Sequence, residues 1–250
     1  MKPGDGLMWR VMGASVQGVS HAKADVPCQD AHAWTVLSDR TLLAAVADGA
    51  GSAALAEVGA QLAVQSALDC LKQAWPERGQ NWQLLCTTAL QAARQRLEEE
   101  AEARACGLRD LAATLIVVAV ADELTVCAHI GDGAAVLRDE AGALHLLSTP
   151  QSSEYVNETT FLVSADYLAA AQFTLWQGRA QCVALFSDGL QRLALQMPLG
   201  KPHTPFFAPL FQFAAQAGEN ADEQLAAFLR SPRITARADD DLTLVLAARS

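Results

Sequence analysis

Leu42-Leu43-Ala44-Ala45-Val46-Ala47-Asp48-Gly49 is an apolar run that ends in a carboxylate and a turn residue, so it places Asp48 at the rim of a sheet. The pattern recurs twice. Leu124 to Ile130 leads into Gly131-Asp132-Gly133, and Cys182 to Phe186 leads into Ser187-Asp188-Gly189. Two more acidic motifs, Gln29-Asp30 and Asp239-Asp240-Asp241, stand beside predicted strands. One rim carboxylate is a turn signal, but several on one rim repel each other. Two bare charges about 4 Å apart cost roughly 4 kcal/mol at an effective dielectric of 20. A divalent metal cluster between them relieves that repulsion, and hard oxygen ligands point to magnesium or manganese.

The rest of the chain reads as a globular frame for these acids. Its 250 residues are 51% hydrophobic and 18% charged, enough apolar surface for one sizeable core. The net charge is -10, with lysines and arginines scattered, so a nucleic-acid surface is not expected. Cys28, Cys70, Cys86, Cys106, Cys127 and Cys182 contain no Cys-x-x-Cys and mostly sit in apolar periodic stretches. They read as free thiols in a reducing cytoplasm. Met1 to Arg10 lacks an apolar signal region, and no run of 18 apolar residues predicts a membrane span.

Along the chain, Trp9 to Val19 reads as a strand, Ser20 to Asp30 as a loop, and Ala33 to Leu37 with Thr41 to Val46 as a hairpin. Helical spacing marks Ser52 to Leu71, with Ser52 as its cap and Pro76 and Gly79 as breakers, and then Trp82 to Ala105. Ala112 to Val120, Leu124 to Ile130, Ala134 to Asp139 and Leu144 to Leu147 form a meander. A polar loop, Thr149 to Thr160, precedes strands at Phe161 to Val163, Gln172 to Trp176 and Gln181 to Phe186. Helices are expected at Leu190 to Leu195, Phe206 to Gln216 and Ala221 to Leu229, with an irregular stretch at Pro198 to Pro205 and a closing strand at Leu242 to Ala248. Helix pairs between blocks of strands argue for antiparallel sheets with helices outside.

The order of motifs resembles the protein phosphatase 2C family, the metal-dependent Ser/Thr phosphatases, in its compact bacterial form. The resemblance spans Gly13 to Ala248 and rests on Pro27-Cys28-Gln29-Asp30, Val46-Ala47-Asp48-Gly49-Ala50-Gly51-Ser52, Ala113-Thr114-Leu115, His129 to Leu137, Leu185 to Gly189 and Asp240 to Val245. It implies an α+β fold, a four-layer α-β-β-α sandwich with two antiparallel sheets, as a single domain over residues 1–250. It implies that Asp48 bridges two manganese or magnesium ions with the Gly49 carbonyl on the first, and that Asp188 and Asp240 hold the second. Asp30 would position metal-bound waters, and Asp132 with Asp188 would hold a third, weaker ion. The implied chemistry is in-line attack of a metal-activated water on a phosphoserine or phosphothreonine, with Asp30, Asp48, Asp188 and Asp240 as the catalytic set.

The sequence departs from the family at three places, one of them Gln29, where larger members have Glu, so that one water contact changes. Larger members carry an Arg five residues before the first motif's Asp to grip phosphate; here that residue is Asp25. They also carry a His, proposed as general acid, where this chain has Ala50. His21 and Lys23 are the candidate substitutes for the phosphate-gripping cation. Asp239 and Asp241 read as solvated neighbours of Asp240, and Thr114 as a packing or hydrogen-bonding residue near the site. His129 reads as a core histidine with its hydrogen bonds satisfied, and Asn157-Glu158-Thr159 as either a lid or an ordinary capped turn.

The leading expectation is thus a phosphatase acting on phosphoproteins and opposing a bacterial Ser/Thr kinase, monomeric and cytoplasmic. Two alternatives stand beside it. One is a pseudophosphatase that keeps the fold as a binding module, motivated by Asp25 and Ala50. The other is a hydrolase of small phosphate esters.

Overall fold

The computed structural model describes residues 8–75, 81–151, 159–196 and 200–249. Pro76, Gly79, Asn157, Glu158 and Pro198 lie outside these. Twelve strands are described: β1 (Trp9–Val16), β2 (Asp30–Val36), β3 (Leu42–Asp48), β4 (Leu115–Val120), β5 (Leu124–Ile130), β6 (Ala134–Asp139), β7 (Leu144–Ser148), β8 (Gln172–Gln177), β9 (Ala180–Phe186), β10 (Leu195–Gln196), β11 (Lys201–Pro202) and β12 (Leu242–Arg249). The helices are α1 (Val19–Ala24), α2 (Ala56–Ala74), α3 (Trp82–Arg104), α4 (Tyr167–Ala170), α5 (Gln191–Ala194), α6 (Thr204–Gln216), α7 (Ala221–Leu229) and α8 (Pro232–Thr235).

Two antiparallel five-stranded sheets carry the fold. Their orders are β1-β12-β9-β6-β7 and β2-β3-β4-β5-β8, with a short β10-β11 ribbon beside them. Strand alternation sorts each side chain to one of three apolar layers. Leu42, Ala44 and Val46 of β3 meet Val183, Leu185 and Val245 between the sheets. The alternate residues Leu43, Ala45 and Ala47 face Ala60, Ala63, Ala67 and Leu71 of α2. On the opposite outer face, Phe186, Leu244 and Leu246 pack under Phe207 and Phe211 of α6 and Leu225 of α7. The result is the expected α-β-β-α sandwich. A small residue lets α2 pack closely on the turn before β4, since a Cβ on Gly59 would collide with the Leu111 carbonyl.

Five local expectations change. Ser20 to Asp30 is not all loop, because Val19–Ala24 forms a short helix that ends at Asp25 with φ 56°. Its entry is fixed from a distance, by Ser20 N–H donating to the Asp239 carbonyl at 2.8 Å. The helix expected from Ser52, α2, begins at Ala56, because Ala50, Ala53 and Ala56 fold into a small cluster with Ala112 and Leu55 N–H is taken by the Asp110 carbonyl. Phe161 to Val163 is a turn, not a strand, with the Leu162 N–H donating to the Ala113 carbonyl at 2.9 Å and the Leu162 carbonyl held by Arg94 Nη1 at 2.7 Å. The strand expected at Ala112 starts at Leu115, and Gly49 bridges to Ala113 before it. His129 is fully buried between the sheets, yet neither ring nitrogen has a hydrogen-bond partner among the described residues. Strand alternation placed it in the interior without supplying a donor or acceptor there.

Candidate active site

Sheet register brings the distant acids to one rim. Asp30 opens β2 and stands directly opposite Asp48 at the end of β3. The end of β5 pairs with the start of β4, so Gly131-Asp132-Gly133 leaves from the same edge. In the other sheet, Phe186 at the end of β9 pairs with Leu244 of β12 and with Ala134 of β6. Asp188, Asp240 and Asp132 therefore share that sheet's corresponding rim. The Gly131–Gly133 link crosses between the sheets and fixes the two rims side by side.

Backbone and hydroxyl contacts hold this edge. Asp48 N–H donates to Thr114 Oγ1 at 2.9 Å, and Thr114 N–H returns to the Asp48 carbonyl at 2.8 Å. Gly49 N–H reaches the Gln29 carbonyl at 3.2 Å, and a Cβ there would lie 2.6 Å from the Ala56 oxygen, so only glycine fits. Ser187 ties the two sheets together. Its hydroxyl donates to Asp30 Oδ2 at 2.7 Å and accepts from Thr243 N–H at 3.0 Å.

The electrostatics are those of crowded acids. One carboxylate oxygen from each of Asp48, Asp132 and Asp188 lies within 4.8 Å of the others. No Lys or Arg pairs with any of the three among the described residues. Burial, then the charges of Asp30 and Asp188, holds the Asp48 carboxyl well above its ordinary range. Burial, then Asp132, pushes Asp188 up to about 6. Asp30 rises to about 7 through burial, against the opposing pull of the Ser187 and Thr243 hydroxyls. Asp30 Oδ1 and Asp188 Oδ1 are buried without a hydrogen-bond partner. All the donors are hard oxygens, several are unpartnered, and their charge is uncompensated. This set fits a divalent hard cation such as magnesium or manganese.

Asp240 lies across the same opening. It lines a cavity of about 400 Å³ together with Asp188, and its charge contributes to raising Asp188. Its closest titratable neighbours form a second group, with His21 and Asp241. His21 Nδ1 is 2.9 Å from Asp241 Oδ2, and His21 Nε2 is 3.7 Å from Asp240 Oδ1. Lys23 faces an adjoining cavity of about 360 Å³, which shares Asp240 with the first.

Asp241 is not a solvated neighbour. It is 3% exposed and accepts from Gly18 N–H and Gln29 N–H, both at 2.6 Å, besides its contact with His21. A buried carboxylate with several donors organises the loops that meet it. Asp239, by contrast, is exposed and contributes only its carbonyl, to Ser20. Two further residues touch Asp132, Gln191 without a sequence signal and Thr159 from the polar group singled out above. Gln191 Nε2 donates to the Asp132 carbonyl, and Thr159 Oγ1 donates to Asp132 Oδ2 at 2.6 Å. Asp25 is exposed at the end of α1, and Ala50 has no proton to give.

A family profile described as protein phosphatase 2C matches residues 17–230. Serine/threonine-protein phosphatase 3 of Escherichia coli strain K12 is 41% identical over 251 residues, covering 96% of this chain and 98% of that protein. Among solved structures, PppA, titled a key regulatory component of T6SS in Pseudomonas aeruginosa, matches with a TM-score of 0.67 at 18% identity, over 98% of this chain and 99% of that one. The catalytic domain of the serine threonine protein phosphatase PstP, in complex with two manganese ions, matches with a TM-score of 0.66 at 20% identity, over 97% and 98% of the two chains. At these identities the structural likeness speaks to the fold.

Proposed function

The chain belongs to the protein phosphatase 2C family and is a protein-serine/threonine phosphatase, and we propose that it hydrolyses phosphoserine and phosphothreonine with the help of two manganese or magnesium ions. Asp48, the Gly49 carbonyl, Asp188 and Asp240 would hold the two ions, Gly49 serving the first and Asp188 with Asp240 the second. Asp132 and Asp188 offer a weaker third position. The observation that carries this reading is the Asp48, Asp132 and Asp188 cluster, whose oxygens lie within 4.8 Å of each other with no ion-paired Lys or Arg among the described residues. The two manganese ions bound by the similarly folded PstP domain support the same reading.

When bound, the ions neutralise the phosphate dianion and acidify the attacking water. The chain's own residues do the positioning. Thr114 fixes the backbone of Asp48, and Ser187 fixes Asp30 so that its free Oδ1 orients water at the rim. No nucleophilic Cys or Ser is required. With alanine at position 50, the leaving serine or threonine oxygen takes its proton from solvent.

Support for the surroundings is simpler. The apolar layer shared by both sheets favours one domain over residues 1–250. No helix among the described residues is long and apolar enough to cross a membrane. Six free cysteines suit a reducing cytoplasm. The partner that this activity needs is a Ser/Thr kinase whose phosphoproteins it resets, and the chain acts on them as a monomer.

The test joins activity to binding. The protein should turn over a phosphothreonine peptide and p-nitrophenyl phosphate with manganese and stop with chelator. Calorimetry should show at least two manganese ions taken up, and Asp48→Asn and Asp188→Asn should lose that uptake. Calorimetry without manganese uptake by the parent protein would overturn the reading.

A further inference from the structure

We propose that Arg192 and Arg237 grip the substrate's phosphate, replacing the cation that position 25 lacks. This rests on the phosphatase reading above and names a part of the same site.

The need comes from charge. The cavity beside Asp188 is also lined by Asp239 and Asp240, and a phosphate dianion has to enter it. Divalent ions offset the carboxylates that bind them, but a phosphate held only by ions has one side facing solvent. Larger members of the family carry a phosphate-gripping arginine five residues before the first motif's Asp. In this chain that residue is Asp25, exposed at the end of α1.

The supply comes from two other elements. Among the described residues, Arg192 and Arg237 are the basic side chains that line the Asp188 cavity. Arg192 is on α5, four residues after Asp188, and Arg237 follows α8, three residues before Asp240. The turns that present two proposed metal ligands thus also present the two guanidinium groups. Both side chains are exposed, and neither has a hydrogen-bonding or ion-pairing partner among the described residues. Most of the other arginines make such contacts, as Arg94, Arg96, Arg104 and Arg249 do with Glu98, Glu100 and Asp122.

The two earlier candidates fit the task less well. His21 is engaged by Asp241 and faces Asp240. Lys23 opens into the adjoining, mostly apolar cavity with Val16, Val19 and Leu229. A guanidinium also suits the ligand better than an ammonium, because its fork of donors matches two phosphate oxygens at once.

The experiment compares Arg192→Ala, Arg237→Ala, the double variant and both Lys variants with the parent, in manganese. KM and kcat are measured on p-nitrophenyl phosphate and on a phosphothreonine peptide, with inhibition by inorganic phosphate. Each Ala variant should raise KM about tenfold on both substrates and weaken phosphate inhibition about tenfold, the scale of one charge-assisted hydrogen bond. Turnover at saturation should stay within about threefold, and Lys should restore part of the loss. Unchanged KM and phosphate inhibition overturn the proposal, as does a KM rise confined to the peptide, which would place the arginines on flanking residues. Melting curves identify any variant that fails to fold. If the parent itself shows no manganese-dependent turnover, the phosphatase mechanism fails separately. Calorimetric binding of inorganic phosphate with manganese then still decides the role of the arginines.

Discussion

Asp48→Asn should make the metal-free protein more stable while removing its function. At the 4.8 Å that bounds the Asp48, Asp132 and Asp188 oxygens, each ionised pair costs about 3.5 kcal/mol at an effective dielectric of 20. Asp48 takes part in two of the three pairs. The site escapes some of that cost by holding protons: Asp188 is displaced from 3.8 to about 6, equivalent to ~3 kcal/mol, with burial the largest cause and the Asp132 charge the next. A net gain of about 2–3 kcal/mol at pH 8 is therefore expected, or about 4–12 °C in Tm for a chain of this size. The pH dependence follows from the direction of the shifts. An acid whose folded pKa is raised binds more protons folded than unfolded, so its stabilising share is complete below 3.8 and is lost as pH rises through about 6 for Asp188 and about 7 for Asp30. The variant's advantage should thus be largest at pH 8 and shrink below about 1 kcal/mol at pH 5. Thermal melts in chelator at both pH values measure it, and adding manganese should reverse the order, since only the parent gains from ion binding. A variant no more stable than the parent at pH 8 in chelator would refute the claim that these carboxylates repel one another.

Two other perturbations test the frame around the acids. Asp241→Ala removes the acceptor of Gly18 N–H, Gln29 N–H and His21. It should destabilise by about 3 kcal/mol or more by chemical denaturation and slow turnover, because the loops it joins carry Asp30 and Asp240; intact stability would mean those loops are held otherwise. His129→Leu should stabilise the protein at acid pH. Burial holds this histidine down to about 3, so the folded state takes up no proton as pH falls below 6.5 while the unfolded chain does. That imbalance costs about 2 kcal/mol by pH 5, and a leucine of similar size removes it. Parallel stability profiles for the two proteins between pH 5 and 8 would contradict this account.

The rim acids were legible because each is announced locally. An apolar run closed by Asp-Gly states both the end of a strand and the presence of a carboxylate, and Asp48, Asp132 and Asp188 all follow that form. Their convergence was legible only through the family resemblance, since it depends on the pairing of Asp30 with Asp48 and of Phe186 with Leu244. Asp241 was misread because three consecutive aspartates look alike in sequence. What separates the buried one is contact with Gly18 and Gln29, 223 and 212 residues away. The short helix Val19–Ala24 was missed for the same reason, its first turn being set by Asp239 from the far end of the chain. Phe161 to Val163 has the apolar character of a strand, but Arg94 holds the backbone on either side of Val163, which no pattern of hydrophobicity reports.

The supply of protein donors divides these aspartates more sharply than their burial does. Asp241 has donors on both carboxylate oxygens and acts as a strut between loops. Asp30 has a donor on Oδ2 and none on its buried Oδ1, so it is anchored at one side and unpartnered at the other. Burial is the chief cause that raises both Asp48 and Asp188, and Asp188 keeps a buried oxygen with no partner. Unpaired buried acceptors are expensive, so a fold that supplies hydroxyls to Asp30 and amides to Asp241 yet leaves these two short is arranged for a ligand that the polypeptide does not itself provide. Asp132 lies between the two cases, with one oxygen taken by Thr159. A cation there must compete with that hydroxyl, which is a physical reason for the proposed third position to bind more weakly than the two proposed above.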